Sequence, residues 1–171
     1  MRSNKNYIKL LISGLLAWYF IEYALGEKTE FKWNILDGVD LLIHEAGHTI
    51  FMFFGEFIHV LGGSFFQVFV PAVFVFYFLY FRREYYSGSL LLFWLGQSVL
   101  NLSVYVGDSI RQELPLLGGD NSIHDWNYIL SKLGLLRQTY HIATGFYDIG
   151  FFIILTAIVL SCYFAWYGEL Y

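Results

Sequence analysis

Long apolar runs separated by short polar stretches fill most of the chain. Residues 7–25 form one such run, with Arg2 and Lys5 before it and Lys9 near its start. The run is long enough to cross a hydrocarbon core of about 30 Å as a helix. A signal peptide is the alternative interpretation, but Glu22 and several bulky aromatic residues fit a cleavage region poorly. We therefore expect a retained first transmembrane helix.

Four further apolar segments follow the first. The second is predicted to begin with Asp37 as its N-cap and to end near Leu61, before a turn at residues 62–64. The others are predicted at residues 65–81, 88–107 and 143–167. A polar loop at residues 108–124 precedes a helix that is expected to begin near Asp125. The pattern predicts an all-α fold, a polytopic membrane helical bundle with about five hydrophobic segments.

Two topologies fit the second segment. A cytoplasmic N-terminus places Lys28 and Lys32 outside the cell. Arg82 and Arg83 also fall outside if the second and third segments both span the membrane, which the positive-inside rule disfavours. A second segment that stops partway across the membrane removes this conflict.

Composition supports the membrane setting independently. The 171 residues are 57% hydrophobic, 22% aromatic and 14% charged, a balance that is rare among soluble domains. The length favours a single integral membrane domain over residues 1–171. The net charge of −4 and the lack of a basic run argue against a nucleic-acid partner. We expect the lipid bilayer as surroundings, in the plasma membrane of a prokaryote, and the sequence leaves the oligomeric state open.

The second segment contains the run His44-Glu45-Ala46-Gly47-His48. Positions i and i+4 lie on one face of a helix, so both imidazoles can bind one metal ion. The intervening glutamate projects about 100° around the helix axis. This arrangement is typical of zinc metalloproteases. The alternative interpretation is a pair of buried, hydrogen-bonded histidines.

Two histidines leave a catalytic zinc ion one protein ligand short. Asp40 lies one turn before His44 on the same face, where a hydrogen bond to that ring is expected rather than ligation. His59 shares nearly the same face, but it is about 16 Å beyond His48 along a continuous helix. We therefore expect the third ligand to come from another segment.

A later apolar segment carries Asn101-Leu102 and then Asp108 at its membrane end. Carboxylates in such positions tend to be functional. Together with the His-Glu-x-x-His run, these residues resemble the site-2-protease family of intramembrane zinc metalloproteases. In that family an Asn and a Leu-Asp-Gly motif lie on a later helix, and the Asp is the third zinc ligand. The resemblance covers about residues 38–109.

The resemblance implies a site residue by residue. Zinc would be bound by His44, His48 and Asp108. Glu45 would be the catalytic carboxylate, and Asn101 would hold the backbone of the substrate.

The polar loop offers competitors for the third ligand position. His124 is the main one, because imidazole is a good zinc ligand and the loop can fold back over the membrane surface. Asp120 is expected to support a ligand or to serve as one. The remaining candidates are Glu113, Asp125, His141 and Asp148. So many ligand-type groups leave room for a second metal ion.

The predicted function is zinc-dependent hydrolysis of a peptide bond in a membrane protein or membrane-associated peptide. Glu45 would act as general base and then as general acid. One alternative is a metal-dependent membrane hydrolase or lipid-modifying enzyme with one or two metal ions. Another is a metal-binding membrane protein without catalytic activity.

Overall fold

The computed structural model describes residues 6–26, 35–114 and 124–168. Within these ranges the chain forms six α-helices and no strands, which confirms the all-α class. The helices are α1 (Tyr7–Leu25), α2 (Ile35–Phe51), α3 (Glu56–Phe76), α4 (Tyr85–Gly107), α5 (Asp125–Lys132) and α6 (Thr139–Tyr167). A π-helical stretch, Tyr77–Arg82, extends α3, and single 3₁₀ turns follow α2 at Met52–Phe54 and precede α6 at Leu136–Gln138.

Four helical stretches are long and apolar enough to cross a membrane, which is consistent with insertion in a bilayer. They are Tyr7–Leu25, Glu56–Arg82, Tyr85–Gly107 and Leu136–Tyr167. The predicted count of five is not confirmed, because α2 has only 17 residues. Such a helix is about 25 Å long, short of the hydrocarbon thickness of about 30 Å. This length is consistent with a second segment that stops partway.

The chain reverses direction at Gly55 rather than at residues 62–64. Gly55 has a φ of +90°, which glycine tolerates best, and Glu56 then places an acidic group at the positive end of α3. The predicted turn at residues 62–64 is wrong, because all three residues are buried inside α3. These small residues let the helices approach closely, since a Cβ on Gly47 would collide with the carbonyl of Gly62. Helices α2 and α3 therefore form a tight hairpin.

Helix α4 lies at the centre of the bundle, in contact with α1, α2, α3 and α6. It meets α6 at Gly96 and Gly150, where a Cβ on either residue would lie about 3 Å from the carbonyl oxygen of the other. Another face of α4 is polar but buried, and it carries Gln97, Ser98 and Asn101. These side chains bind groups on α2 and α3. The middle of the bundle is thus held by hydrogen bonds as well as by apolar packing.

Asp37 anchors the start of α2. It is not the N-cap predicted from the sequence, because the helix already begins at Ile35 and Asp37 lies in the first turn. Its Oδ1 accepts hydrogen bonds from Tyr23 Oη at 3.1 Å, Gln97 Nε2 at 2.7 Å and Asn101 Nδ2 at 3.1 Å. The start of α2 is therefore fixed by both α1 and α4.

Helix α5 is short and docks on α3 and on the end of α4. The buried indole of Trp126 donates to Ser64 Oγ at 3.0 Å, and Asn127 Nδ2 donates to the carbonyl oxygen of Ser109 at 2.8 Å. The expected helix start is confirmed, because Asp125 is the first residue of α5. These two contacts fix Asp125 beside the α2–α3 hairpin.

Candidate metal centre

Three side chains from α2 and α5 meet in what we term the His–Asp cluster (His44, His48 and Asp125). The two imidazole rings are 4.7 Å apart between centroids. Their Nε2 atoms lie 2.8 and 3.1 Å from a single oxygen, Oδ2 of Asp125. In a tetrahedral zinc site with bonds of about 2.1 Å, neighbouring donor atoms stand about 3.4 Å apart. The spacing of the cluster therefore fits a single metal ion.

The other nitrogen of each ring is already hydrogen-bonded. His44 Nδ1 lies 3.1 Å from Gln67 Oε1, and His48 Nδ1 lies 2.9 Å from the carbonyl oxygen of His59. Both partners are acceptors, so each Nδ1 carries the hydrogen and each Nε2 of a neutral ring presents a lone pair. Two ring nitrogens and one carboxylate oxygen thus converge on one position. The Nε2–H groups of charged rings would hold them together there, and with neutral rings a metal ion would do so. Metal-binding histidines are usually supported by such hydrogen bonds at the other ring nitrogen.

The charge of Asp125 also suits a metal ligand. Burial raises the pKa of this carboxyl, but the Nε2–H groups and positive charges of protonated His44 and His48 outweigh the effect of burial and hold the pKa below its usual value. Asp125 is therefore ionised at neutral pH, the form in which a carboxylate binds metal.

Gly63 lets both ring nitrogens lie against the backbone of α3. It faces them from α3, and a Cβ at this position would lie 2.6 Å from His44 Nε2 and 2.5 Å from His48 Nε2. Any larger residue would therefore collide with both rings, close to the position where the three donor atoms converge. The glycine thus permits the close approach of α3 to the cluster.

We expect Gly63→Ala to reduce bound zinc from about one per chain to well below one, because its methyl group would press against both Nε2 atoms. The measurement is zinc content of the purified protein in detergent, with circular dichroism to verify helix content. Gly145→Ala is the matched control, since a Cβ there meets nothing within 4 Å. Wild-type zinc content in Gly63→Ala would contradict the expectation.

His59 lies next to the cluster, contrary to the expected separation of about 16 Å. That expectation assumed a continuous helix, whereas the reversal at Gly55 brings α3 back along α2. His59 Nδ1 donates to the carbonyl oxygen of His48 at 2.9 Å, and the two rings are 5.2 Å apart. His59 therefore holds His48 in place through paired hydrogen bonds.

Asp108 and His124, the two preferred third ligands, are placed elsewhere. The Asp108 carboxylate accepts the backbone N–H groups of Glu113 and Leu114 at 3.1 and 3.0 Å. His124 Nδ1 lies 3.9 Å from Asp108 Oδ2. Among the residues that the structure describes, the His–Asp cluster is the one group of three ligand-type side chains close enough to share a metal ion. Of the candidates for the third ligand, Asp125 is thus the one that the structure places beside both histidines.

Asn101 lies inside the bundle, where a substrate backbone does not reach it. Its side chain is 5% exposed and is hydrogen-bonded between Asp37 and Gln67. The role in substrate binding that the family resemblance implies is therefore not supported by this placement. Asn101 belongs to the internal support of the site instead.

Asp40 does not bind His44 as expected. It is fully buried, and its Oδ1 accepts hydrogen bonds from Trp94 Nε1 at 2.8 Å and Ser98 Oγ at 2.9 Å. Its side chain therefore contacts α4, and Gln67, rather than Asp40, is hydrogen-bonded to His44.

The remaining candidates are not part of the cluster or fall outside the described ranges. Glu113 is exposed after α4, and His141 and Asp148 are exposed on α6. Asp120, predicted to support a ligand, lies outside the described residues.

Glu45 projects from the exposed side of α2, next to the cluster. Its carboxylate is close enough to interact electrostatically with His48 and with Tyr105. The Tyr105 ring lies roughly parallel to that of His44, with 6.4 Å between centroids. Among residues 6–26, 35–114 and 124–168, no side chain donates a hydrogen bond to Glu45. An accessible carboxylate in this position can take up and release a proton.

Sequence reasoning missed Gln67. A single amide in an apolar helix was the available signal, and it follows His59 and Gly63 at four-residue spacing. Residues with this spacing share one face of a helix, and here that face meets both histidines of the cluster. This row of residues can be recognised as part of the site only once the reversal of the chain at Gly55 is known.

No known protein family, curated protein or solved structure matches this chain. The resemblance to the site-2-protease family therefore depends on the motif residues alone. Function has to be argued from the geometry of the site.

Proposed function

We propose that the protein is a zinc-dependent membrane metallopeptidase that hydrolyses a peptide bond in a membrane protein or membrane-associated peptide. The convergence of two imidazole nitrogens and one carboxylate oxygen on a single position carries this proposal. Two histidines and a carboxylate are a ligand set of catalytic zinc sites, which keep a further position open.

In the proposed reaction, some residues of the chain would bind the metal ion and Glu45 would transfer the proton. Zinc, when bound, would lower the pKa of a water molecule to about 7 and polarise the substrate carbonyl. Glu45 accepts a proton from the attacking water as the new C–O bond forms. It then donates this proton to the amine nitrogen as the C–N bond breaks. His44, His48 and Asp125 keep their positions through hydrogen bonds to α3 and the docking of α5.

The membrane setting constrains the substrate. A transmembrane helix hides its peptide carbonyls in internal hydrogen bonds, so a substrate helix must unwind locally before cleavage. The proposed location is the plasma membrane of a prokaryote, with the site on a helix that stops partway across the bilayer. His124 precedes Asp125 in the chain and its Nδ1 lies 3.9 Å from Asp108 Oδ2, and we assign the entry of water to this polar end of α5.

We expect the wild-type protein to bind one zinc ion per chain and to cleave transmembrane peptides. The test uses protein in nanodiscs, a set of synthetic transmembrane peptides and water enriched in heavy oxygen. Mass spectrometry should find the heavy oxygen in each new C-terminal carboxylate. A chelator should stop the reaction, and added zinc should restore it.

Other outcomes distinguish the alternatives. Release of fatty acids from the nanodisc lipids without peptide cleavage would indicate a lipid hydrolase. Bound zinc without hydrolysis of peptide or lipid would indicate a non-catalytic metal-binding protein. The single cluster in the described ranges favours one metal ion over two.

A further inference from the structure

Three buried polar side chains connect the start of α2 to His44, and we term them the hydrogen-bond chain (Asp37, Asn101 and Gln67). Asn101 Nδ2 lies 3.1 Å from Asp37 Oδ1, Gln67 Nε2 lies 3.0 Å from Asn101 Oδ1, and Gln67 Oε1 lies 3.1 Å from His44 Nδ1. All three residues of the chain are at most 5% exposed. Buried amides are costly unless they are hydrogen-bonded, so this arrangement needs an explanation beyond packing.

The direction of the hydrogen-bond chain is set at Asp37. Three donors surround its Oδ1, from Tyr23, Gln97 and Asn101. A carboxylate oxygen with three donors around it acts as an acceptor. Asn101 must therefore turn its NH₂ group towards Asp37 and its carbonyl oxygen towards Gln67.

The same logic fixes Gln67. The Asn101 carbonyl only accepts, so Gln67 must turn its NH₂ group towards it. That NH₂ group also lies 3.5 Å from the carbonyl oxygen of Ser98, another acceptor. The carbonyl oxygen of Gln67 is then left facing His44 Nδ1, which has to carry the hydrogen. Only this tautomer of neutral His44 presents a lone pair on Nε2.

We infer that Gln67 is a positioning residue that fixes the tautomer and ring orientation of His44, so that Nε2 is available to the metal ion. The inference rests on the metal site of the proposed function, and it adds the residue that orients one of the metal ligands. Without Gln67, neutral His44 would divide between two tautomers, and the form with hydrogen on Nε2 cannot ligate through that atom. Partners of this kind contribute about 10- to 100-fold to metal affinity.

The test compares Gln67→Met with Gln67→Glu. Methionine has a similar size but offers no strong acceptor to Nδ1, so the zinc dissociation constant should rise about 10- to 100-fold. Glutamate keeps an oxygen towards Nδ1, and in its protonated form, which burial favours, it also donates to Asn101. Its dissociation constant should therefore lie closer to that of the wild type. The measurement is competition for zinc with a chromophoric chelator. A purely packing role predicts the reverse order, because a buried acid is tolerated less well than methionine.

A second measurement needs no variant. In the zinc-loaded wild-type protein, nitrogen NMR of labelled histidine should find His44 protonated at Nδ1 and ligated through Nε2. Ligation through Nδ1, or an unchanged dissociation constant in Gln67→Met, would overturn the inference and leave the proposed function standing. A wild-type protein that binds no zinc would overturn both.

Discussion

Glu45→Gln should lower the rate of peptide cleavage by about 10²- to 10⁴-fold, the usual contribution of a general acid–base group, while zinc content stays near one per chain. Glutamine has nearly the same shape but cannot accept the proton of the attacking water. The side chain is exposed on α2 and is not part of the His–Asp cluster, so fold and metal site should be retained. Cleavage of the synthetic transmembrane peptides and elemental analysis on one preparation give both values.

The matched control for this variant is Glu113→Gln, which alters another exposed carboxylate after α4 and should cleave at the wild-type rate. Loss of zinc from Glu45→Gln would assign Glu45 to metal binding instead of proton transfer. Full activity and full zinc content in Glu45→Gln would show that Glu45 takes no part in the mechanism.

Asp125→Ala should weaken zinc binding by more than about 100-fold, beyond the loss typical of supporting partners, and should abolish cleavage. The substitution removes one of three donors and the negative charge that lies within 3.1 Å of both Nε2 atoms. Zinc titration against a chelator measures the loss. Cobalt substitution gives an independent readout, because its absorption spectrum depends on the ligand set.

Asp108→Ala is the control that decides between the two assignments of the third ligand. The structure predicts wild-type zinc affinity for this variant, since Asp108 binds the backbone at Glu113 and Leu114. Asp125→His should recover part of the zinc binding, because imidazole is also a good zinc ligand. Zinc loss in Asp108→Ala with zinc retained in Asp125→Ala would restore the ligand that the family resemblance implies.

The membrane-crossing helices were predictable because the length of an apolar run directly reflects the thickness to be crossed. Helices α1, α4 and α6 begin and end within a few residues of the predicted segments. The turn between α2 and α3 was predicted at the wrong position because glycine occurs both in turns and where helices pack closely. Gly62 and Gly63 give the same signal as a turn, yet they serve close helix packing. Gly55, the true turn, stands alone beside a run of aromatic residues.

The residues of the candidate metal site were likewise predictable where local helix geometry brings them together, and not where contacts between distant parts of the sequence do. His44 and His48 were predictable because helix geometry alone places them on one face. Asp125 was only a minor candidate, because its position depends on the docking of Trp126 on Ser64, a contact between residues far apart in the sequence. Gln67 likewise reaches His44 only through the packing of α3 on α2.

The paired bonds between His48 and His59 have a consequence for assembly of the site. Each ring donates to the main chain of the other residue, so the contacts that close the α2–α3 hairpin also orient the Nε2 atom of His48. If the cluster binds zinc as proposed, hairpin closure and zinc uptake are thermodynamically linked, and each favours the other by the same free energy. Removal of zinc should then loosen the hairpin, and a loosened hairpin should bind zinc less tightly.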